Sequence, residues 1–220
     1  MDKQQIISNT KTFVKSTLID AEGGHDWFHI LRVFNNVKLI AINENVDNFI
    51  VELGALLHDI ADSKFNNGDE TVGPKVAREF LENLQVEESI IFHIENIISN
   101  ISYKGGNFKQ KFTSPELEVI QDADRLDAIG AVGIARCFNY GGFKNRPLYN
   151  PEISPNLNMS KEEYKNSEAP TINHFYEKLL LLKDRLNTPT GKELGQKRHQ
   201  IMVQFLTDFF EEWNFNETES

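Results

Sequence analysis

The stretch "LGALLHDIADSKF" (residues 53–65) places His58, Asp59 and Asp62 at the end of an apolar run. The leucines and the alanine that precede them have the spacing of a buried helix face. Ionisable groups in an apolar setting are costly unless a partner satisfies them. The stretch therefore predicts a core helix that ends at a binding site, and the ligand of that site is the first question the sequence raises.

The composition is that of an acidic globular protein. The chain has 220 residues, of which 40% are hydrophobic, and a formal net charge of -10. This charge argues against a broad electrostatic surface for DNA or RNA, so no nucleic-acid partner is expected. An anionic small molecule remains a candidate ligand, but it requires a metal ion or a local basic cluster.

The remaining compositional signals favour a cytoplasmic protein. The single cysteine, Cys137, cannot form an internal disulfide, which fits a reducing compartment. The N-terminus lacks the pattern of a signal peptide, and no apolar run is long enough to span a bilayer. No membrane partner is expected.

Apolar residues recur at helical spacing almost throughout, which predicts an all-α fold in one domain, residues 1–220. The ligand-bearing core is expected at about residues 20–140, with C-terminal helices at about 171–214 packed on it. Asp47 and Thr171 are predicted N-caps, and Pro74 and Pro115 suit first turns. The predicted helices span residues 3–19, 26–43, 47–60, 74–85, 87–102, 115–138, 171–187 and 190–213.

Three segments interrupt the helical pattern, at residues 62–73, 103–114 and 140–170. The last is long for a connection and contains four prolines. Long loops in compact domains are commonly functional or disordered. We expect these loops to lie over the site, with Lys144 and Arg146 as further contacts for a phosphate tail.

The chemistry-bearing residues fall into three groups, and each group interrupts an apolar helix. Because three helices would otherwise bring uncompensated polar groups inward, a divalent cation bound by carboxylates and imidazoles is the natural resolution. Adjacent helical residues point about 100° apart, so an ion shared by His58 and Asp59 must lie near the helix end. The groups are His25, Asp26, His29 and Arg32; His58, Asp59, Asp62 and Lys64; and Asp122, Asp124, Arg125 and Asp127.

The order His29, His58-Asp59, Asp124 resembles the signature of the HD superfamily of metal-dependent phosphohydrolases. The phrases "HDWFHILRV", "LLHDIADSKF" and "DADRLDAIGA" are similar to those of its small bacterial YedJ/YpgQ-like subgroup, and so are "ISYKGG" and "NHFYEKLLLLKDRLNTPTGK". The resemblance implies a compact helical fold around one metal ion. It also implies hydrolysis of nucleoside or deoxynucleoside triphosphates to the monophosphate and pyrophosphate by a metal-bound water.

The resemblance also implies residue roles. His29, His58, Asp59 and Asp124 would be metal ligands, and water would complete an octahedral shell. Two imidazoles and two carboxylates suit Mn²⁺ first, with Mg²⁺, Co²⁺, Ni²⁺ or Fe²⁺ as alternatives. Asp62 would orient or deprotonate the attacking water as the catalytic acid or base. Its alternative role is to begin a loop or cap a helix.

Four basic residues are candidates for binding the substrate phosphates: Lys64, Lys104, Arg125 and Arg32. Arg32 has a structural alternative, as do His25 and Asp26, which either support the ligands or cap the second helix. Asp122 and Asp127 are either supporting acids or the solvated side of their helix, and for Asp122 we favour the solvated side. His93 is interpreted as a satisfied, partly buried histidine and not a fifth ligand, and Cys137 as a small core residue. His174 and His199 are assigned no chemistry.

Three functions compete. The leading hypothesis is the nucleotide pyrophosphohydrolase described above, and the second is a phosphohydrolase of a monophosphate, cyclic nucleotide or phosphorylated metabolite. The third is a non-catalytic, metal-stabilised nucleotide-binding domain, against which Asp62 argues. An aromatic stripe near the C-terminus, from Phe205 to Trp213, is interpreted as core, with a homo-oligomer contact as the alternative.

Overall fold

The computed structural model describes residues 2–19, 26–61, 69–101, 111–159, 163 and 167–213. Within these ranges the chain forms helices and no strands, which confirms the all-α prediction. A 3-10 segment, Leu179–Arg185, precedes the last helix. The helices are α1 (Lys3–Thr17), α2 (Trp27–Ala41), α3 (Asn48–Leu57), α4 (Val72–Asn83), α5 (Glu88–Asn100), α6 (Pro115–Asp127), α7 (Gly130–Phe143), α8 (Asn173–Glu177) and α9 (Pro189–Trp213).

Most predicted helix starts are confirmed. The Asp47 carboxylate accepts the backbone N–H of Phe49 at 2.8 Å and caps α3, and Pro115 opens α6. Thr171 was the wrong N-cap, because the following helix begins two residues later and is capped at Ile172. No helix in the described residues has the length and hydropathy needed to cross a membrane.

The prediction of one helix over residues 115–138 is wrong, because the helix is interrupted between α6 and α7. Gly130 has a φ of +75°, a left-handed conformation that glycine adopts at little cost. A Cβ at this position would lie 3.0 Å from the Cβ of Arg198 on α9. The break therefore lies where two parts of the chain that are distant in sequence approach closely.

The chain divides into two compact units between Asp124 and Arg125. We call residues up to Asp124 the N-terminal unit and those from Arg125 the C-terminal unit. The single-domain organisation stays a prediction. In the N-terminal unit, α3 packs against α1, α2 and α5, and α4 pairs with α5. Leu53, Leu56 and Leu57 of α3 are completely buried, as the opening stretch predicts.

The C-terminal unit has an aromatic core. Phe175 of α8 is completely buried, and its ring stacks on that of Phe205 at 5.7 Å between centroids. Phe205 also meets Phe138 of α7 edge-on at 5.7 Å. The predicted stripe on the last helix is thus a packing seam along most of its length, while Trp213 at its end remains 47% exposed.

Candidate metal centre

His58 and Asp59 lie just beyond the last turn of α3. The helix ends at Leu57, and His58 is its C-cap. The His58 Nδ1 lies 2.8 Å from the carbonyl oxygen of Ala55. Since a carbonyl only accepts, Nδ1 carries the proton and Nε2 keeps the lone pair that a metal needs. The helix end therefore selects the tautomer of His58 that can act as a ligand.

His29 lies in the first turn of α2 and is buried. The Asp26 carboxylate accepts the backbone N–H of His29 at 2.8 Å, so Asp26 is the helix cap, the second of the two roles considered for it. The imidazole rings of His29 and His58 are 5.4 Å apart between centroids and inclined by 67°. The two rings thus share one small volume from two different helices.

The candidate ligand atoms converge. One atom each from His29, His58 and Asp59 lies within 4.8 Å of the other two. The Asp124 Oδ1 is 3.6 Å from the Nε2 of His29. Donors on opposite sides of a cation at about 2.1 Å lie about 4.2 Å apart, so this spacing is close to that of atoms sharing one ion. Two nitrogens and two carboxylate groups form a donor set that fits a divalent cation.

Two contacts hold the helices in the register that the site requires. A Cβ on Gly54 would lie 2.4 Å from the Cδ1 of Ile120, so α3 and α6 approach closely there. His58 lies four residues after Gly54, and Asp124 four residues after Ile120, which brings the ligands together one turn beyond the contact. The amide nitrogen of Asn36 donates to the carbonyl oxygen of Ala123 at 3.0 Å and fastens α2 to α6.

Two of the three helices at the site are oriented so that they favour a cation, whereas α2 begins there and its amino end opposes one. The carboxyl end of a helix carries a partial negative charge from its last carbonyl groups. His58 follows the end of α3, and Asp124 lies in the last turn of α6. Both helix ends therefore add negative potential to that of the two carboxylates.

Two of the predicted phosphate-binding residues, Arg32 and Arg125, lie within the described residues. Arg32 lies on α2 and is half-buried. Arg125 begins the C-terminal unit, where its guanidinium donates to the carbonyl oxygen of Arg185 at 2.5 Å. The remaining predictions, for His25, Asp62, Lys64 and Lys104, fall outside the described residues.

The structure determines the surroundings of two acids on α6, Asp122 and Asp127. Asp122 is completely buried, so its interpretation as part of a solvated face was wrong. Asp127 is also buried and forms a short ion pair with Arg136 of α7. This pair spans the break between α6 and α7, which makes it a structural contact of the C-terminal unit.

The interpretations of His93 as a hydrogen-bonded, partly buried histidine and of Cys137 as a core residue are confirmed. The His93 Nε2 lies 2.9 Å from the hydroxyl of Ser114. Cys137 is buried, and burial raises the pKa of its thiol to about 12, which removes it as a nucleophile. Sequence reasoning missed Asn36, although an amide on the apolar face of α2 was a visible signal.

Comparison with known proteins identifies a family. Residues 27–129 match the family model described as HD domain. The protein YpgQ of Bacillus subtilis (strain 168) is 39% identical over 206 residues, which cover 89% of this chain and 88% of YpgQ. The matched range begins at α2 and ends before α7, so it contains all four candidate ligands.

Solved structures agree with this assignment. An HD-superfamily hydrolase from Bacillus thuringiensis aligns with a TM-score of 0.78 and 43% identity, over 97% of this chain and 99% of that one. The structure of Bacillus subtilis YpgQ in complex with ADP aligns with a TM-score of 0.75 and 33% identity, over 96% and 97%.

Proposed function

This chain belongs to the HD domain family of hydrolases, and on that premise we propose that it hydrolyses (deoxy)nucleoside triphosphates to the monophosphate and pyrophosphate. The observation that supports the metal-dependent part is the convergence of His29, His58 and Asp59, with Asp124 beside His29. A divalent cation in such a site supplies a Lewis acid and lowers the pKa of a bound water.

The residues of the chain would hold the cation and orient the atoms that bind it. His58 presents one defined nitrogen, because its other nitrogen donates to Ala55. His29 is held by the first turn of α2, and the two carboxylates offset part of the cation's charge. Of the divalent ions that accept two nitrogens and two carboxylates, we propose Mn²⁺, with Mg²⁺, Co²⁺, Ni²⁺ or Fe²⁺ as alternatives. A structural zinc site of this size would favour thiolates.

We propose a nucleotide as substrate because the related YpgQ was solved with ADP. Asp62, three residues after the ligand Asp59, is proposed to hold or remove the proton of the attacking water. Lys64, Lys104, Arg125 and Arg32 are proposed to bind phosphate oxygens, since guanidinium and ammonium groups form strong charge-assisted hydrogen bonds with them.

The decisive experiment is hydrolysis in ¹⁸O-labelled water with the Mn²⁺-loaded full-length protein and a panel of nucleotides. We expect the label in the nucleoside monophosphate, because attack at the α-phosphorus releases pyrophosphate as one unit. Mass spectrometry of both products locates the label.

Label in inorganic phosphate, with a diphosphate product, would move the attack to the terminal phosphorus. Turnover of monophosphates or cyclic nucleotides alone would favour a different phosphohydrolase. Nucleotide binding without any turnover would favour the non-catalytic domain.

A further inference from the structure

The end of α7 folds back on itself around Asn145. The backbone N–H of Asn145 donates to the carbonyl of Gly142 at 3.0 Å, and that of Arg146 donates to Gly141 at 2.9 Å. This is the Schellman pattern, in which the residue after the C-cap adopts a left-handed conformation. Asn145 has a φ of +53°, which asparagine tolerates better than most residues. The turn directs Arg146 back along the helix it has just left.

Two basic side chains consequently lie beside one aromatic ring. The guanidinium carbon of Arg146 is 5.6 Å from the centre of the Tyr140 ring, and the Nζ of Lys144 is 5.8 Å from it. The Lys144 Nζ is also 5.3 Å from the Phe143 ring. Cations within about 6 Å of an aromatic ring are attracted to its face. Tyr140 and Phe143 are 47% and 70% exposed, so this region is open to a ligand.

A third basic residue, Lys178, lies on a segment that is distant in sequence. The backbone N–H groups of Thr171 and Ile172 donate to the carbonyls of Pro147 and Leu148 at 2.9 and 3.0 Å. A Cβ on Gly141 would lie 2.2 Å from the Thr171 hydroxyl, so only glycine permits this approach to α7. The pairing places α8, with His174, and its C-cap Lys178 near the end of α7.

Arg146 and Lys178 share their surroundings. Both act electrostatically on His174 and on Cys137. Burial, followed by the charges of Lys178 and Arg146, lowers the pKa of His174 to about 3. The imidazole is therefore neutral at physiological pH, and the positive charge of the region comes from the lysines and the arginine.

We propose that Lys144, Arg146 and Lys178, which we call the basic cluster, bind the phosphate groups of an anionic ligand in the C-terminal unit. Three cations gathered in a chain of net charge -10 mark a local site for anions. Arg146 donates one hydrogen bond to the carbonyl of Ser167, and a guanidinium has further donors for a phosphate. This proposal does not depend on metal-dependent turnover.

The test uses inorganic tripolyphosphate as the probe and the full-length protein in EDTA, so that the metal centre takes no part. Calorimetry should detect binding by the unaltered protein. Arg146→Gln and Lys178→Gln should each weaken it roughly tenfold, since a hydrogen bond to a charged group is lost. Lys197→Gln is the matched control, because Lys197 lies in the same unit and pairs with Glu193 at 2.8 Å. It should bind the probe as the unaltered protein does.

No binding by the unaltered protein, or equal binding by the Arg146 and Lys178 variants, would overturn the proposal. Circular dichroism of each variant confirms that it is folded, and Arg146→Lys provides a second variant that keeps the charge.

The source of the phosphate follows from kinetics with the metal-loaded protein. If the cluster binds the substrate's own phosphates, the Arg146 and Lys178 variants raise KM for the nucleotide. If KM is unchanged while tripolyphosphate binding is lost, the cluster binds a separate phosphorylated molecule. Both results support the site. A protein inactive on every nucleotide would still give a valid binding test, so the two proposals fail separately.

Discussion

The N-terminal unit contains two clusters of acidic residues with opposite designs. Between α4 and α5, the guanidinium of Arg78 hydrogen-bonds to three carboxylates, those of Glu82, Glu88 and Glu95, at 2.5 to 3.1 Å. Between α2, α3 and α6, Asp59 and Asp124 lie with two histidines instead. One cluster takes its positive charge from the chain, whereas the other offers the nitrogen and oxygen donors that bind a metal.

The companions of the acids distinguish a structural acid cluster from a candidate functional one. Arg78 holds two helices together at the surface, and its hydrogen bonds keep the pKa of Glu88 below its ordinary value of 4.5. The candidate metal centre contains imidazoles, which are ligands when neutral, and it lies at the ends of α3 and α6 and the start of α2. The residue types that accompany the acids therefore say more than the number of acids.

The largest effect should come from removing a ligand. His58→Ala or Asp124→Ala should lose the bound cation and all measurable hydrolysis, because the remaining donors no longer surround an ion. Elemental analysis after Mn²⁺ loading measures the first effect, and nucleotide turnover the second. His93→Gln is the matched control, since His93 belongs to the same unit but bonds to Ser114. A His58 variant that retains one metal per chain would refute the ligand assignment.

The next largest effect should come from a variant that distinguishes metal binding from catalysis. Asp62→Asn should lower turnover by roughly 10² to 10⁴ while metal content stays the same, as expected for loss of a general base. Turnover numbers and elemental analysis on the same sample give the comparison. Unchanged turnover would leave Asp62 with its alternative role as a loop or cap residue.

A bound metal ion should stabilise the fold through the cluster of His29, His58, Asp59 and Asp124, and not through the Arg78 cluster. At a Mn²⁺ concentration of 100 times Kd, the free energy of unfolding should rise by about 2.7 kcal/mol, because the ion binds the folded chain. Denaturant titration with and without EDTA measures the gain. His58→Ala should abolish the gain and Arg78→Gln should keep it, and the reverse result would exchange the roles given to the two clusters.

The close contact between α3 and α6 offers a test of register. Gly54→Ala should cost about 1–3 kcal/mol, since the new Cβ overlaps the Cδ1 of Ile120. Ile120→Val removes that atom, so the double variant should lose less stability than the two single variants together. Urea denaturation of all four proteins completes the cycle. Simple additivity would show that the contact does not constrain the helices.

The smallest effect should be that of Arg78→Gln, and it should depend on pH. Glu88 has a lowered pKa in the folded chain, so its contribution to stability is present above pH 4.5 and is lost as pH falls through the folded value. The Tm difference from the unaltered protein should shrink between pH 6 and pH 3 and in high salt. Lys75→Gln, which breaks a surface pair of 4.0 Å with Glu79, is the control. A difference that grows in acid would contradict this account.

The sequence predicts what is local. Helix periodicity and the side chain of Asp47 are enough to locate α3, and the burial of its leucines follows. The prediction for Asp122 is wrong even on local grounds. Asp122 lies three residues after Val119 and four before Leu126, which are both buried. That periodicity already placed it on the apolar face.

What could not be predicted depends on contacts between distant residues. The break at Gly130 lies against Arg198, and no local pattern predicts this contact with a residue so distant in sequence. The segments that carry Arg146 and Lys178 are joined by backbone pairing of residues 147–148 with 171–172. The proposed association of Lys178, in the run "HFYEKLL", with Arg146 could therefore not be predicted from the sequence.

The Gly54–Ile120 contact also dictates the order of assembly. The four candidate ligands lie far apart along the chain, from His29 to Asp124, and meet only when α6 has docked on α3. Contacts between residues so distant in sequence carry a loop-closure entropy cost and in general form more slowly than local contacts. A nascent chain that has not yet released α6 from the ribosome cannot surround the cation with all four donors. Binding of a cation by all four donors is therefore expected only after α6 has left the ribosome and packed on α3.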